Sequence, residues 1–200
     1  MPRPMPRPAD AVSSPLALKI VIAGGFGAGK TTAVRAVSEI EPLTTEEQLT
    51  EAGALVDDLE GVERKQTTTV AFDFGRLSLD GLELFLFGTP GQQRFVDLWY
   101  ELVQGAIGAV VLVDTRRLED SFPPVGFFEQ LRIPFVVAIN CFDGAHRYPT
   151  DDVRNALGLA SAVPVIPCDA RVPDQVASVL LTLTEHAMQI PYAPTALQDA

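Results

Sequence analysis

Leu18-Lys19-Ile20-Val21-Ile22-Ala23-Gly24-Gly25-Phe26-Gly27-Ala28-Gly29-Lys30-Thr31-Thr32 is the stretch on which the reading of this chain turns. The apolar run 18–23 predicts a buried strand. Ala33, Val34, Val37 and Ile40 recur at helical spacing and predict a helix over about 30–40. Between them stands Gly24, four residues, then Gly29-Lys30-Thr31. Strand, glycine loop and helix in that order form a phosphate cradle. Glycines let successive backbone N–H groups turn inward toward phosphate oxygens. The helix start adds its partial positive charge. Lys30 offers a mobile cation for β- and γ-phosphates, and the Thr31 hydroxyl suits Mg²⁺. A nucleoside phosphate is the expected ligand, held along Gly24, Gly25, Phe26, Gly27, Ala28, Gly29, Lys30, Thr31 and Thr32.

The 200 residues suit one domain with a core large enough to need no staples. Two cysteines, Cys141 and Cys168, make no disulfide framework and suit a reducing cytoplasm. The formal charge of −11 argues against nucleic acid as a general ligand. The apolar runs are too short to cross a bilayer. Met1-Pro2-Arg3-Pro4 starts neither a signal peptide nor a myristoylation site, and Leu197-Gln198-Asp199-Ala200 has no cysteine to prenylate. A cytoplasmic protein with no direct membrane anchor is expected, reaching a membrane only through partners.

Residues 1–15, with prolines at 2, 4, 6, 8 and 15, read as a disordered or polyproline-like arm, and 191–200 as a flexible tail. The domain between, 16–190, alternates strands and helices. Strands are expected at 17–23, 68–78, 81–87, 107–113, 133–139 and 163–167, the second and third forming a hairpin at Asp80-Gly81. Helices are expected at about 30–40, 95–104, 119–130, 150–157 and 174–189, with Thr150 capping the fourth. This predicts a three-layer α/β fold of the P-loop NTPase kind. Its sheet is six-stranded and mostly parallel, with one antiparallel hairpin strand and helices on both faces. Residues 41–67 form a long acidic connection. In it Thr45 and Gln48 make a capping-box pattern, and Leu49, Ala52, Val56 and Leu59 would line a short helix.

The glycine loop alone leaves ATP and GTP, kinase and switch, all open. Three later segments narrow the field: Phe87-Gly88-Thr89-Pro90-Gly91-Gln92-Gln93-Arg94-Phe95, Ala138-Ile139-Asn140-Cys141-Phe142-Asp143 and Pro167-Cys168-Asp169-Ala170-Arg171. Their order and spacing resemble the Ras-like small GTPases over roughly residues 16–190. More narrowly, the first segment is similar to that of the bacterial conservon GTPases, distant relatives of the gliding-motility GTPase. The resemblance implies GTP/GDP as ligand with Mg²⁺, and a molecular switch with slow, partner-stimulated hydrolysis. It implies a roadblock-type regulatory protein and a sensor-kinase complex as partners. By the same resemblance Asp143 would accept guanine N1–H and 2-amino protons, which adenine lacks, and Asn140 would brace the base loop. The Ala170 N–H would meet the guanine O6, while Cys141, Cys168, Asp169 and Arg171 would stand around the base. Thr69, with Thr68 as fallback, would meet Mg²⁺ and the γ-phosphate beside Thr31. Gln92 would orient the attacking water with Gly91 before it, so Gln92, Lys30 and Thr69 are the implied catalytic set. Bound GDP should then slow alkylation of both cysteines.

Departures from the family pattern are as informative. Gly88 stands where the family has an aspartate holding a Mg²⁺ water, and Phe26 where Ras has a glycine near the γ-phosphate. Cys141 and Arg171 replace lysines. A nucleotide-holding scaffold with negligible hydrolysis therefore stays open, and a P-loop kinase less so. The kinase would need an arginine-rich lid. Arg116-Arg117, the only adjacent arginine pair, reads more simply as a solvated loop. No cation besides Lys30 is evident for the transferring phosphoryl group.

Overall fold

The computed structural model describes residues 15–49, 68–79, 81–91 and 96–189, with the backbone alone for 43–49 and 68–71. In it the apolar run before the glycine loop is the central strand, β1 (Leu16–Gly24). Parallel partners flank it, β4 (Leu82–Gly88) on one side and β5 (Ala106–Val113) on the other. Beyond β5 lie β6 (Phe135–Asn140) and β7 (Val165–Cys168), also parallel. Beyond β4 lie β3 (Thr68–Leu79) and β2 (Leu43–Leu49), each antiparallel to its neighbour. The order is β2-β3-β4-β1-β5-β6-β7.

The expected mostly parallel sheet, with its β3–β4 hairpin and helices on both faces, is present. It carries seven strands rather than six, because Leu43–Leu49 pairs along β3. A helix starting at Thr45 was expected there, and the correction has a simple cause. Without a partner β3 would leave one row of N–H and C=O groups unpaired, and a neighbouring strand satisfies them. Residues 50–67, the rest of that expected helix, lie outside the described residues, as do the arm before Pro15 and the tail from 190.

Helices α1 (Lys30–Val37) and α5 (Pro173–Gln189) cover one face of the sheet. Helices α2 (Val96–Leu102), α3 (Phe122–Leu131) and α4 (Thr150–Leu157) cover the other. Successive strand residues point to opposite faces, so β1 serves both cores. Ile20 and Ile22 pack with Val34, Leu180 and Leu183, while Val21 and Ala23 pack with Trp99, Phe128 and Val153. Being buried on both sides, β1 and β6 need continuous apolar runs rather than alternation. Helix α4 corrects one detail: Thr150 is its first residue, and Pro149 occupies the cap position without a side-chain hydrogen bond. The parallel strands end along a single edge of the sheet, and the loops that leave them gather there. Among the described residues no helix is long and apolar enough to cross a membrane.

Candidate functional site

The glycine loop leaves β1 on that edge and turns into α1 through left-handed positions at Gly27 (φ 75°) and Gly29 (φ 103°). Gly29 could hold no side chain: a Cβ there would lie 2.5 Å from Asn140 Nδ2. Asn140, at the end of β6, is buried and joins two segments that are far apart in sequence. Its Nδ2 donates to the Ala28 carbonyl at 2.9 Å, and its Oδ1 accepts from the Ala170 N–H at 3.1 Å. The glycine loop and the 168–171 segment are thereby held at a fixed spacing.

Lys30 is 8% exposed and donates to the carbonyls of Gly24 (2.9 Å) and Gly25 (2.7 Å). Burial lowers its ammonium to about 8, with the Asp73 carboxylate pulling the other way. Gly91 lies against the loop, since a Cβ there would sit 2.8 Å from Lys30 Nζ and 2.8 Å from Phe26 Cα. The Trp99 indole of α2 holds the preceding carbonyl, Nε1 to Pro90 O at 3.2 Å. Phe26 is 64% exposed at the mouth. Thr32 is exposed on the first turn of α1.

Thr31 reveals a residue that sequence reading passed over. Its Oγ1 donates to Asp73 Oδ2 at 2.5 Å. Asp73, on β3, stands directly across the ladder from Gly88. A Cβ on Gly88 would lie 3.2 Å from Asp73 Cβ and 3.3 Å from Oδ2. The Asp73 carboxylate thus stands in the space an aspartate at 88 would need. The signal was an acidic residue on a strand leading to the sheet edge, legible only once the β3–β4 register is known.

At the other end of the loop cluster, Arg171 holds two carboxylates. Its guanidinium meets Asp143 at 2.7 and 3.2 Å and Asp169 at 2.9 and 2.7 Å. Hydrogen bonds from Arg171 hold the Asp143 carboxyl below its ordinary range, and the same arginine holds Asp169 at about 2. Asp143 is still 90% exposed, so its carboxylate faces solvent while fixed in position. The Ala170 N–H, expected to face a base, here donates to Asn140.

Cys141 and Cys168 sit at the adjoining ends of β6 and β7, where the Cys141 N–H donates to the Cys168 carbonyl at 2.8 Å. Burial pushes the Cys168 thiol up to about 11, whereas Cys141 is half-buried. At pH 8 only about one Cys168 in a thousand is thiolate. Iodoacetamide is therefore expected to label Cys141 alone, with Cys168 following above about pH 10. Peptide mass spectrometry across pH would show this, and equal labelling of both at pH 8 would contradict it. Thr69 lies on β3 with its backbone paired to Gln48, and Gln92 lies outside the described residues.

The Arg116-Arg117 pair is exposed, as expected, and each arginine also has a partner. Arg116 holds Asp114 through Nε (3.1 Å) and Nη2 (2.8 Å), and its guanidinium stacks 4.1 Å over the Phe142 ring. Arg117 lines a groove of about 300 Å³ with Gly24, Phe26, Gly91, Trp99 and Asp120.

A glycine loop, a loop packed on its lysine and the Asp143–Arg171–Asp169 cluster share one edge of this sheet, the architecture of a P-loop domain with the G-domain fold. The chain belongs to the family described as conserved hypothetical ATP binding protein, whose model matches residues 22–190. It is 28% identical over 128 residues to the uncharacterized protein MJ1339 of Methanocaldococcus jannaschii, covering 63% of this chain and 71% of that one. The G domain of the T. maritima FeoB iron transporter superposes with TM-score 0.59 at 16% identity, over 86% of this chain and 99% of that one. The FeoB G-domain from Methanococcus jannaschii gives 0.57 at 17% identity, over 86% and 99%. The T. maritima FeoB cytosolic domain in its GMPPNP form gives 0.62 at 16% identity. There the match covers 85% of this chain but only 64% of the longer cytosolic domain.

Proposed function

We propose that this protein binds a guanine nucleotide with Mg²⁺ and hydrolyses GTP slowly, as a molecular switch. The observation that carries the reading is the Asn140 bridge, which fixes the phosphate loop relative to an exposed carboxylate at Asp143. A carboxylate there pairs with guanine N1–H and 2-amino groups, whereas adenine offers it no matching donor pair. Solved neighbours of the same fold in GMPPNP and GDP forms support the guanine choice. The family's description names ATP, and this makes adenine the second reading. Identifying the nucleotide carried through purification by ion-pair chromatography separates them: GDP or GTP is expected, and ADP or ATP would overturn the guanine assignment.

The oxygen donors at the loop fit Mg²⁺, which takes hard ligands and keeps several waters. Thr31 Oγ1 would hold the ion and Asp73 would anchor its water in place of the missing residue at 88; Thr69 stands four residues along the extended β3 from Asp73, and its part at the metal rests on its motif. When bound, the metal supplies charge to the phosphate oxygens. Asp73→Asn is expected to raise the Mg²⁺ needed for half-maximal GTP binding about tenfold, as one charge-assisted hydrogen bond would. A titration curve unchanged by Asp73→Asn would remove Asp73 from the metal site. The Asp73 carboxylate also weakens the scaffold alternative, which rested partly on Gly88. Gln92 as the water-orienting residue rests on its motif. So do a roadblock-type regulator, a sensor-kinase complex and a conservon-like subgroup.

A further inference from the structure

Arg116 and Arg117 are neighbours in sequence that serve opposite ends of the site. Arg116 is spent on Asp114 and the Phe142 ring, which brace the base-side loop. Arg117 breaks the single turns around it, with φ −140° and ψ 54° inside the Thr115–Ser121 segment. Its Nη2 lies 2.5 Å from Asp120 Oδ2. Asp120 in turn rests on the glycine loop: a Cβ on Gly25 would meet Asp120 Cβ at 2.5 Å and its Oδ2 at 3.3 Å. Arg117 and Asp120 share their groove with Gly24 and Phe26 of the glycine loop and with Gly91, which packs against Lys30.

A carboxylate pressed against a phosphate-binding loop works against the ligand, because like charges at this range repel. Its partner explains why it is tolerated. With Arg117 bound, the pair is neutral and presents no net charge to an incoming phosphate. The pair is half-exposed, so separating it costs at most about a factor of five. A γ-phosphoryl group carries more negative charge than one carboxylate and offers several oxygens to the planar guanidinium.

We propose that Arg117 is a cis-acting arginine for GTP hydrolysis, held in reserve by Asp120 and transferred to the γ-phosphate oxygens in the transition state. The inference deepens the proposed GTPase reading and rests on it. In the reaction the water oxygen bonds to the γ-phosphorus as the bond from that phosphorus to the β–γ bridging oxygen breaks. The electron pair of the broken bond stays on the β-phosphate of GDP, and both water protons leave on the released phosphate. Arg117 neither gains nor loses a proton. It neutralises charge on the equatorial oxygens and the bridging oxygen, as arginines supplied to phosphoryl transfer do elsewhere. Phe26 walls the same groove as Arg117. The reserve pairing lowers intrinsic turnover by no more than that factor of about five.

The test measures GTP affinity with a fluorescent analogue, single-turnover hydrolysis, and capture of GDP with aluminium fluoride, all on the full chain. Arg117→Ala is expected to keep GTP affinity within threefold, lose about a hundredfold in single-turnover rate, and no longer retain GDP with aluminium fluoride. Arg117→Lys should recover less than tenfold of that loss, since a point charge cannot bridge two oxygens. Asp120→Asn should raise the single-turnover rate severalfold by freeing the arginine. Arg117→Ala turning over at the wild-type rate while binding GTP normally would overturn the assignment. A fall for Asp120→Asn as large as for Arg117→Ala, at unchanged melting temperature, would reduce the pair to a brace and overturn the reserve role. A wild type that binds GTP yet shows no single turnover overturns Arg117 together with slow hydrolysis and leaves nucleotide binding standing, and one that binds no guanine nucleotide overturns all three.

Discussion

Lys30→Met is expected to weaken GTP binding by at least about a hundredfold while leaving the nucleotide-free protein as stable as the wild type, or more so. Two terms act on the folded protein. Burial that lowers the ammonium from 10.5 to about 8 means its charged form is held at a cost of about 3 kcal/mol. This cost is fully present below pH about 8. It fades as pH rises toward the unfolded value, because above that both states are neutral. Methionine removes it. Against this, the Gly24 and Gly25 carbonyls lose a donor, each worth about 1 kcal/mol. The net change is small and not destabilising. For the complex the balance reverses, since hydrogen bonds from an ammonium to phosphate oxygens are worth about 1.5–3 kcal/mol each. Losing those to the β- and γ-phosphates outweighs the carbonyl contacts that the wild type gives up on binding. GDP, with one such phosphate, should suffer less than GTP. Calorimetric titration beside thermal melts would decide. A variant that binds GTP within threefold of the wild type removes the glycine loop from the site.

Asp143→Ala should abolish the preference for guanine over adenine, raising the Kd for GDP by about a hundredfold and changing that for ADP by less than threefold. The argument rests on pre-organisation. Arg171 holds the Asp143 carboxylate through both oxygens and is itself held by Asp169, so the acceptor is in place before a base arrives. The two charge-assisted bonds are made to a carboxylate already in place, so their loss falls on guanine and not on adenine. The variant also leaves Arg171 paired with Asp169, so the loop should keep its shape. Competition titration with GDP and ADP reads the outcome. A wild type that prefers ADP, with a variant that behaves alike, would favour the adenine named in the family's description over the guanine reading.

Much of this site was legible residue by residue, for reasons that can be stated. The glycine loop announces itself because its chemistry needs contiguous residues: a strand to aim it, glycines to turn it, a lysine to fill it. The buried strands were equally plain, since a strand covered on both faces has no polar face to disguise it. β2 was not legible. Its sequence Leu-Thr-Thr-Glu-Glu-Gln-Leu carries no buried-strand run, and its pairing depends on the backbone of β3, which the local pattern does not contain. The Thr150 cap failed for a related reason: Pro149 is equally able to begin the first turn, and only geometry chooses between them.

By itself, then, the sequence determined that this chain is a P-loop domain, because the signals of its glycine loop are local and their spacing is short. Which groups complete the site was decided by the tertiary structure. Asp73 meets Thr31 from 42 residues away, and Asp120 reaches Gly25 from the far side of β5. Asn140 ties two loops that the chain separates. Charges placed by strand register leave no periodic trace in the sequence, since their energy comes from neighbours that only the folded sheet brings near.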